Sequence, residues 1–323
     1  MPPAPTLLPA LTAKARTEAH RTSGEGPCTC APGDTVLADR TDATVIRHGD
    51  LVAKAHAQDT PPTELAARLS VAARLPDTLL PPLRPTPTDL HGRLVTFWPH
   101  GTPVDRDDPD AAPWEAAATL LARLHSTPVT ALPAPLPPMR GPAKAARAVA
   151  RLHAAGPHPA APPVLNAWAA LPPWARAETP TPPQAPRHLC HGDFHLGQLV
   201  RTPEGAWLLI DVDDLGEGNA AWDLARPAAW YACGLLPPDE WTRFLDAYRT
   251  AGGPAVPTDG SDPWPALDVP ARALTVQTAA LAITKAAAAD RPLDEIEQAL
   301  IDACARMTGV PTAPPELVQD ATK

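Results

Sequence analysis

The most informative part of the chain is the run His191-Gly192-Asp193-Phe194-His195-Leu196-Gly197-Gln198, followed by Trp207-Leu208-Leu209-Ile210 and then Asp211. The apolar run predicts a buried strand that ends on an acid, and the preceding loop holds a second acid and an amide. Metal-dependent phosphoryl transfer uses such groups. One carboxylate orients the attacking hydroxyl, while an amide carbonyl and a second carboxylate hold magnesium against the phosphates.

In these residues the chain resembles the aminoglycoside phosphotransferase family, whose members are small-molecule relatives of protein kinases. The resemblance consists of a His-x-Asp loop and of an acid that ends a later strand. Gln198 stands where the family usually has asparagine, and this variant of the loop is similar to the maltokinase branch. The specific motifs cover residues 35–231, and the C-terminal helices match only in general character.

The resemblance implies an α+β, bilobal, protein-kinase-like fold. We expect residues 1–32 to be a loosely ordered N-terminal arm with a short helical patch near residues 11–20, and residues 33–98 to be a small β-rich N-lobe. Residues 99–323 would then be a larger, mainly helical C-lobe that carries the catalytic loop. A hinge near residues 98–101 and a cleft holding ATP and magnesium follow from the same resemblance.

The hydrophobic patterns of the chain are consistent with this organisation. Short β-branched runs predict strands at 35–38, 44–47, 51–55 and 93–98, and a helix is predicted at 65–75 behind two prolines. Apolar residues at helical spacing predict a series of later helices. These are residues 113–125, 144–155, 164–170, 221–231, 238–250, 269–288 and 293–307.

The composition excludes several classes of protein. A net charge of -9 argues against nucleic-acid binding, which needs a basic face. No apolar run approaches the roughly 18 residues of a membrane span, and the N-terminus lacks a secretory pattern, so a cytoplasmic protein without a membrane partner is expected. The five cysteines are scattered, and Cys28-Thr29-Cys30 has the wrong spacing for a zinc knuckle, so we interpret that pair as coincidence.

The loop residues receive roles from the resemblance. Asp193 is the expected catalytic base, which accepts a hydrogen bond from the acceptor hydroxyl. His191 and Asp223 are expected to support the loop, Asp223 through backbone N–H groups. His195 has two interpretations, either near the phosphates or bonded to a backbone carbonyl. A rival interpretation is a zinc cluster, but its spacing fits no common zinc pattern. That cluster would contain His188, Cys190, His191 and His195.

Magnesium and nucleotide binding are assigned in the same way. Gln198 and Asp211 are the expected magnesium ligands, because magnesium takes oxygen ligands and a glutamine carbonyl can supply one. Asp213 or Asp214 could reach the metal or acceptor, or remain a solvated loop carboxylate. Lys54, one of few lysines in an arginine-rich chain, is expected to contact the α- and β-phosphates, with Glu64 holding it in place.

The expected adenine-binding segment contains Phe97 and Trp98, and these residues could equally be core. The Phe97 carbonyl would accept from the adenine amino group, but the donor position falls on Pro99, which has no N–H. Either His100 replaces it or adenine selectivity is relaxed. The loop at residues 40–43 lacks the glycines of a kinase phosphate loop.

We therefore expect ATP-dependent, or GTP-dependent, transfer of the γ-phosphoryl to a small-molecule hydroxyl. The acceptor would be an aminoglycoside-like antibiotic or a sugar or related metabolite. Asp239, Glu240 and Asp246 could face a polyamine or form an ordinary solvated helix face. The alternative is a non-catalytic nucleotide-binding relative, which Gln198 and Pro99 suggest.

Overall fold

The computed structural model describes residues 7–21, 30, 33–40, 42–133, 135–182, 186–307 and 309. The chain forms two compact units. The first comprises Met1–Ala112, Thr130–Pro137 and Gly197–Asp213, and the second comprises Pro113–Val129, Pro138–Leu196 and Asp214–Lys323. Part of the predicted arm, with Cys28, lies outside the described residues.

The described strands are short and mostly antiparallel. They are β1 (Asp34–Asp39), β2 (Thr44–His48), β3 (Leu51–Ala55), β4 (Thr88–Leu90), β5 (Arg93–Pro99), β6 (Thr102–Pro103), β7 (His188–Cys190), β8 (Leu199–Arg201), β9 (Trp207–Leu209) and β10 (Gly216–Gly218).

The described helices are α1 (Leu7–Ala19), α2 (Pro62–Arg74), α3 (Trp114–His125), α4 (Gly141–Ala154), α5 (Ala161–Ala170), α6 (Ala221–Ala232), α7 (Pro238–Thr250), α8 (Trp264–Ala288) and α9 (Glu295–Met307). Of these helices, α1 and α2 belong to the first unit and the others to the second. None of the helices described is long and apolar enough to cross a membrane.

The first unit is built on a five-stranded sheet in the order β1-β2-β3-β5-β4. In β2 and β3, buried residues alternate with partly buried ones, as expected of strands with one face toward a core. Ile46 and Phe97 are among the core residues on that face. The sheet places Lys54 on its central strand, β3, opposite Thr96 of β5.

The N-terminal segment differs from the expected loose arm where the structure describes it. Leu7–Ala19 is a helix that packs on β2 and β3. Leu11 and Ala15 of this helix have 0% exposed surface and join the core of the sheet. The helix is ordered because its apolar side removes the sheet core from water, which composition alone did not reveal.

The first unit also includes a segment far along the chain, which the boundary expected at residue 98 does not anticipate. β6 pairs with β8, and β8 pairs with β9, in a three-stranded sheet. The backbone N–H of Leu80 donates to the carbonyl of Leu209 at 2.8 Å. These backbone bonds attach the residues around Asp211 to the unit that carries Lys54.

The second unit packs α8 against α4, α5, α6 and α9. Its core includes Val149, Leu152, Val164, Ile283 and Ile301. The α8 helix begins five residues before the predicted start at 269. Pro265 and Pro270 disfavour a helix by their local propensity, so the sequence pattern did not indicate this earlier start. The first lies in the opening turn, where no N–H partner is needed, and the second removes one backbone hydrogen bond without ending the helix.

We predict that Leu11→Ala lowers the free energy of unfolding by about 2 to 5 kcal/mol, since it leaves a cavity in the sheet core. The measurement is equilibrium urea denaturation. The control is Leu37→Ala, because Leu37 is 49% exposed and should cost less than about 1 kcal/mol. Equal effects of the two substitutions would show that α1 does not pack on the sheet.

Candidate active site

The first unit brings Lys54 and Asp211 together, although 157 residues separate them in the chain. The Nζ atom of Lys54 lies 2.5 Å from Oδ1 of Asp211 and 2.9 Å from Oδ2 of Asp213. The lysine side chain is 12% exposed and that of Asp211 is 37% exposed. The cluster is therefore a largely buried ammonium that contacts two carboxylates, both of which still reach solvent.

The β8–β9 hairpin positions Asp211 beside Gln198. The backbone N–H of Ile210 donates to the carbonyl of Gln198 at 2.9 Å. The side-chain Nε2 of Gln198 then lies 3.4 Å from Oδ2 of Asp211. Asp211 itself has a φ of 64°, a left-handed conformation that costs about 1 to 2 kcal/mol outside glycine. Such strain is concentrated at functional sites.

A chain of hydrogen bonds extends from Asp213 into the sheet. His56 Nδ1 lies 3.1 Å from Oδ1 of Asp213, and His56 Nε2 lies 2.8 Å from Oγ1 of Thr96. The indole N–H of Trp98 donates to the same Oγ1 at 2.9 Å. The Thr96 hydroxyl therefore donates to His56 Nε2, which leaves the proton on Nδ1 to be donated to Asp213.

Charge compensation fixes the ionisation of this cluster. Burial by itself would raise the pKa of Asp213, but the Lys54 ammonium and His56 outweigh it and hold that pKa well below its usual range. Burial would likewise lower the pKa of Lys54, but Asp211 and Asp213 raise it above its ordinary value. Lys54 is therefore a permanent cation at neutral pH.

The structure does not form the expected ion pair between Lys54 and Glu64. Oε2 of Glu64 lies 3.1 Å from Nη1 of Arg68, one helical turn later in α2. The Arg68 side chain is almost fully buried, so it needs a carboxylate partner. Asp211 and Asp213 take the place at Lys54 that the resemblance gave to Glu64.

Phe97 and Trp98 are core residues in the structure, and the Phe97 carbonyl is already bonded. The side chain of Phe97 lies in the sheet core, and its carbonyl accepts the N–H of Leu83 at 2.8 Å. The N–H of His100 donates to the carbonyl of Asp50 at 2.8 Å. Both backbone groups considered for adenine binding therefore have partners within the first unit.

The second unit contains Asp193, held between two cations. Its Oδ2 lies 2.6 Å from Nζ of Lys144, and its Oδ1 lies 3.4 Å from Nη2 of Arg226. Burial would raise the pKa of Asp193, but Lys144 first and then Arg226 and His195 lower it below the ordinary value. The carboxylate, which is 22% exposed, is therefore ionised at neutral pH.

Gly192 makes the turn that brings Asp193 to Lys144. Gly192 has a φ of 85°, and a Cβ atom there would collide with the carbonyl oxygen of Asp214. Lys144, on α4, also contacts Oδ2 of Asp214 at 2.6 Å. Burial lowers and the two carboxylates raise the pKa of Lys144, with a net rise. One ammonium group thus bridges the catalytic loop and the segment after β9.

Asp223 anchors the same loop from α6. The N–H of His191 donates to its Oδ2 at 2.6 Å, and the N–H of Gly192 donates to its Oδ1 at 2.7 Å. His125 Nε2 lies 2.9 Å from Oδ2 of Asp223, and His125 Nδ1 lies 2.7 Å from the hydroxyl of Tyr248. The carboxylate is 1% exposed, so these bonds replace its entire hydration.

The two loop histidines differ in position. His191 is fully buried, whereas His195 is partly exposed and lies near enough to Asp193 to lower the pKa of that carboxyl. The rival zinc cluster is not formed by the described residues, because no group of metal-binding side chains combines His188 with His191 or His195. His188 Nδ1 instead lies 3.0 Å from the carbonyl oxygen of His125.

Sequence reasoning missed Lys144, Arg226 and His56. The chain has only five lysines, so the scarcity that singled out Lys54 applied equally to Lys144. Arg226 lies three residues after Asp223, or about one helical turn, and this spacing carries no specific signal by itself. His56 lies two residues after Lys54, so in an extended chain both side chains point to the same face of the sheet. This spacing indicates a shared site only once β3 is known to be a strand.

Three solved structures illustrate the similarity of the fold. A choline/ethanolamine kinase family protein from Mesorhizobium loti is 18% identical, with a TM-score of 0.58 over 94% of each chain. Macrolide 2'-phosphotransferase MphH from Brachybacterium faecium is 18% identical, with a TM-score of 0.51 over 95% of this chain and 100% of that chain. Choline kinase LicA from Streptococcus pneumoniae is 13% identical, with a TM-score of 0.59 over 92% and 98%. They confirm the expected α+β, protein-kinase-like fold.

The model of the phosphotransferase enzyme family, APH, matches residues 35–268. This range contains both charged clusters described above and all of the motifs on which the resemblance was based. Because the match extends over well more than half of the chain, this protein belongs to the phosphotransferase enzyme family.

Proposed function

We propose that the protein transfers the γ-phosphoryl group of ATP to a hydroxyl of a small molecule in a magnesium-dependent reaction. The observation that carries the proposal is the contact of Lys54 with Asp211 across 157 residues. It joins a permanent cation to an exposed carboxylate at the end of a buried strand. A cation for phosphates and a carboxylate for metal are the parts that phosphoryl transfer requires.

The side chains around Asp211 fit magnesium. Asp211, Asp213 and Gln198 offer carboxylate and amide oxygens, which are the ligands of this hard cation. A half-turn of the Gln198 amide exchanges its oxygen and nitrogen and turns Oε1 toward Asp211. Asp211 and Gln198 would hold the ion, which would supply positive charge against the phosphates. Lys54 would bind phosphate oxygens as a point charge.

Asp193 is proposed to orient the acceptor hydroxyl. Lys144 binds Oδ2 at 2.6 Å, whereas the contact of Arg226 with Oδ1 is 3.4 Å. Oδ1 is thus the oxygen with more capacity to accept a hydrogen bond from the acceptor. Because Lys144 and Arg226 keep the pKa of Asp193 low, this group mainly positions the hydroxyl rather than removing its proton strongly.

An aromatic cluster adjoins Asp193 in the second unit. Phe194 stacks on Phe244 at 6.2 Å, Phe244 on Trp241 at 6.1 Å, and Trp241 on both Tyr231 and Trp264. Phe194, Trp241 and Phe244 are almost fully buried, so only the partly exposed rings of Tyr231 and Trp264 can meet a ligand. Aromatic faces attract cationic groups, and a protein with a net charge of -9 also attracts them. Similar structures include a choline kinase and an aminoglycoside phosphotransferase. Tyr231 and Trp264 therefore favour an amine-bearing hydroxyl compound as acceptor over a neutral sugar.

The test is an acceptor panel with ATP and GTP as donors. Choline, ethanolamine, an aminoglycoside, a macrolide and maltose are incubated with the protein and magnesium, and the nucleoside diphosphate and the phosphorylated acceptor are measured. Magnesium-dependent product with any acceptor supports the proposal. Nucleotide binding without turnover would support the alternative, a non-catalytic nucleotide-binding protein, for which the internally bonded Phe97 carbonyl is the specific observation.

We expect Asp193→Ala and Asp211→Ala each to reduce kcat by at least about 100-fold. Of these two variants, Asp211→Ala should also weaken nucleotide binding strongly, because Asp211, unlike Asp193, contacts Lys54. Steady-state kinetics and calorimetric nucleotide titration measure the two effects. Asp302→Ala, at an exposed acid of α9, is the matched control. Full activity in Asp193→Ala would exclude its assigned role.

Lys144→Met should move the acid limb of the kcat/KM profile to higher pH. Burial raises the pKa of Asp193 and Lys144 opposes it, so removing the ammonium raises that pKa from below its usual value. The activity lost at low pH then appears at a higher pH than in the wild type. Lys285→Met, at an exposed lysine of α8, is the control. A uniform loss of rate with an unshifted profile would contradict this role.

Asp223→Asn should lower the free energy of unfolding by about 3 to 5 kcal/mol and reduce kcat. The amide cannot accept from both loop N–H groups as the carboxylate does, and it leaves His125 without its charged partner. Denaturation and kinetics are measured side by side with Asp239→Asn, an exposed acid expected to change stability by less than about 0.5 kcal/mol. An Asp223→Asn protein as stable and active as the control would disprove anchoring.

A further inference from the structure

Three potential metal ligands that the phosphotransferase chemistry does not use converge in the first unit. His20 follows the end of α1, Cys30 precedes β1, and His48 ends β2. Their ligand atoms all lie within 4.8 Å of one another. The ligands lie at positions 20, 30 and 48, a spacing that matches no common zinc motif.

The distances match those in a tetrahedral metal site. His20 Nε2 lies 3.3 Å from His48 Nε2, and Cys30 Sγ lies 3.5 Å from His20 Nε2. Zinc bonds of about 2.05 Å to nitrogen and about 2.3 Å to sulfur, at tetrahedral angles, separate two nitrogens by about 3.3 Å and nitrogen from sulfur by about 3.6 Å. Both separations therefore fit a shared ion, and the third pair, Cys30 Sγ and His48 Nε2, lies within 4.8 Å.

The protonation of His48 suits a metal ligand. Its Nδ1 lies 2.8 Å from Oδ1 of Asp34, a carboxylate that also contacts Arg16. Because the guanidinium of Arg16 is a permanent cation that donates to Asp34, this carboxylate acts as an acceptor toward His48. His48 Nδ1 then carries the proton, and Nε2 presents its lone pair. A carboxylate behind a histidine in this way is the usual support of a zinc ligand.

The backbone is shaped to admit Cys30 at this point. Gly49, the residue after His48, has a φ of 56°. A Cβ atom on Gly49 would lie 3.3 Å from Cβ of Cys30 and 3.4 Å from its Sγ. The missing side chain lets the thiol approach the His48 imidazole. His48 is almost fully buried and Cys30 is half-buried, so the sulfur lies at the edge of the protein interior.

We propose that His20 Nε2, His48 Nε2 and Cys30 Sγ bind one zinc ion, with Asp34 supporting His48 and a solvent molecule completing the tetrahedron. Binding releases the thiol proton of Cys30, and the thiolate forms the bond to the metal. His20 binds as the neutral imidazole, with its remaining proton on Nδ1. The ion fastens the end of α1 and the start of β1 to the sheet, so its role is structural and separate from phosphoryl transfer.

A second group of metal-binding side chains provides the competing explanation. His125, Cys190 and Asp223 also lie within 4.8 Å of one another and are fully buried. Hydrogen bonds to Tyr248, His191 and Gly192 already account for this group. Burial raises the pKa of the Cys190 thiol well above its ordinary value, so that thiol stays protonated and is a poor ligand.

The experiment titrates the full-length, reduced and metal-free protein with Co²⁺, which reports thiolate ligation through a charge-transfer band. We expect one Co²⁺ per chain with that band and tetrahedral d–d absorption, displacement by Zn²⁺, and a higher Tm with Zn²⁺ than without. Co²⁺ bound at the magnesium site would have oxygen ligands and give no thiolate band. Asp211→Ala should therefore retain the thiolate band of the Cys30 site. This readout needs no enzymatic activity and is independent of the proposed reaction.

The variants locate the site. Cys30→Ser should abolish the band and the zinc-dependent rise in Tm, and His20→Gln should weaken Co²⁺ binding by at least about 10-fold. Asp34→Asn should weaken it by about 10- to 100-fold while the band remains. Cys233→Ser, at a half-buried cysteine outside the group, is the control and should behave as the wild type. Absence of the band in the wild type, its persistence in Cys30→Ser or its loss in Cys190→Ser would overturn the proposal.

Discussion

The candidate site depends on the compensation of partly buried charge. Each carboxylate there loses hydration on folding and would take up a proton unless a cation or N–H group replaced that hydration. Lys54 and His56 do this for Asp213, Lys144 does it for Asp193, and His125 with two backbone N–H groups does it for Asp223. Asp193 and Asp213 can therefore accept hydrogen bonds or bind a cation at neutral pH without a proton being removed first, whereas Asp223 keeps its internal hydrogen bonds.

Two backbone conformations deliver these charges to their partners. Gly192 turns the loop with a positive φ that a side chain would obstruct, and Asp211 adopts a positive φ although it is not glycine. The cost at Asp211 is about 1 to 2 kcal/mol, which the hairpin bond from Ile210 to Gln198 and the contact with Lys54 offset. Glycine stands at position 192, where a Cβ atom would collide with Asp214, and aspartate stands at position 211, where a carboxylate contacts Lys54.

Much of this could be predicted from the sequence, because local patterns specify local structure. The alternation in residues 44–55 gave β2 and β3, and the motif around Asp193 and Asp211 indicated the family. Partner choice could not be predicted, since it depends on which side chains meet across the fold. Glu64 pairs with Arg68 rather than with Lys54, because the buried guanidinium of Arg68 needs an opposite charge. Lys144 pairs with the partly buried carboxylate of Asp193 for the same reason. For α1, the sequence indicated a short helical patch near residues 11–20, but not its packing on the sheet, which stabilises the helix.

The charge balance of the first cluster also indicates how it would respond to ligands. By formal charge, Lys54 supplies one positive charge against the two carboxylates of Asp211 and Asp213, so the ammonium does not balance the acidic groups of the cluster. In the proposed reaction a divalent cation would be held by Asp211, which would weaken the hold of that carboxylate on Lys54. The ammonium would then be available to phosphate oxygens while Asp213 still holds it in place. Binding would exchange partners among charges that already exist, which avoids the cost of creating an unpaired charge in the interior.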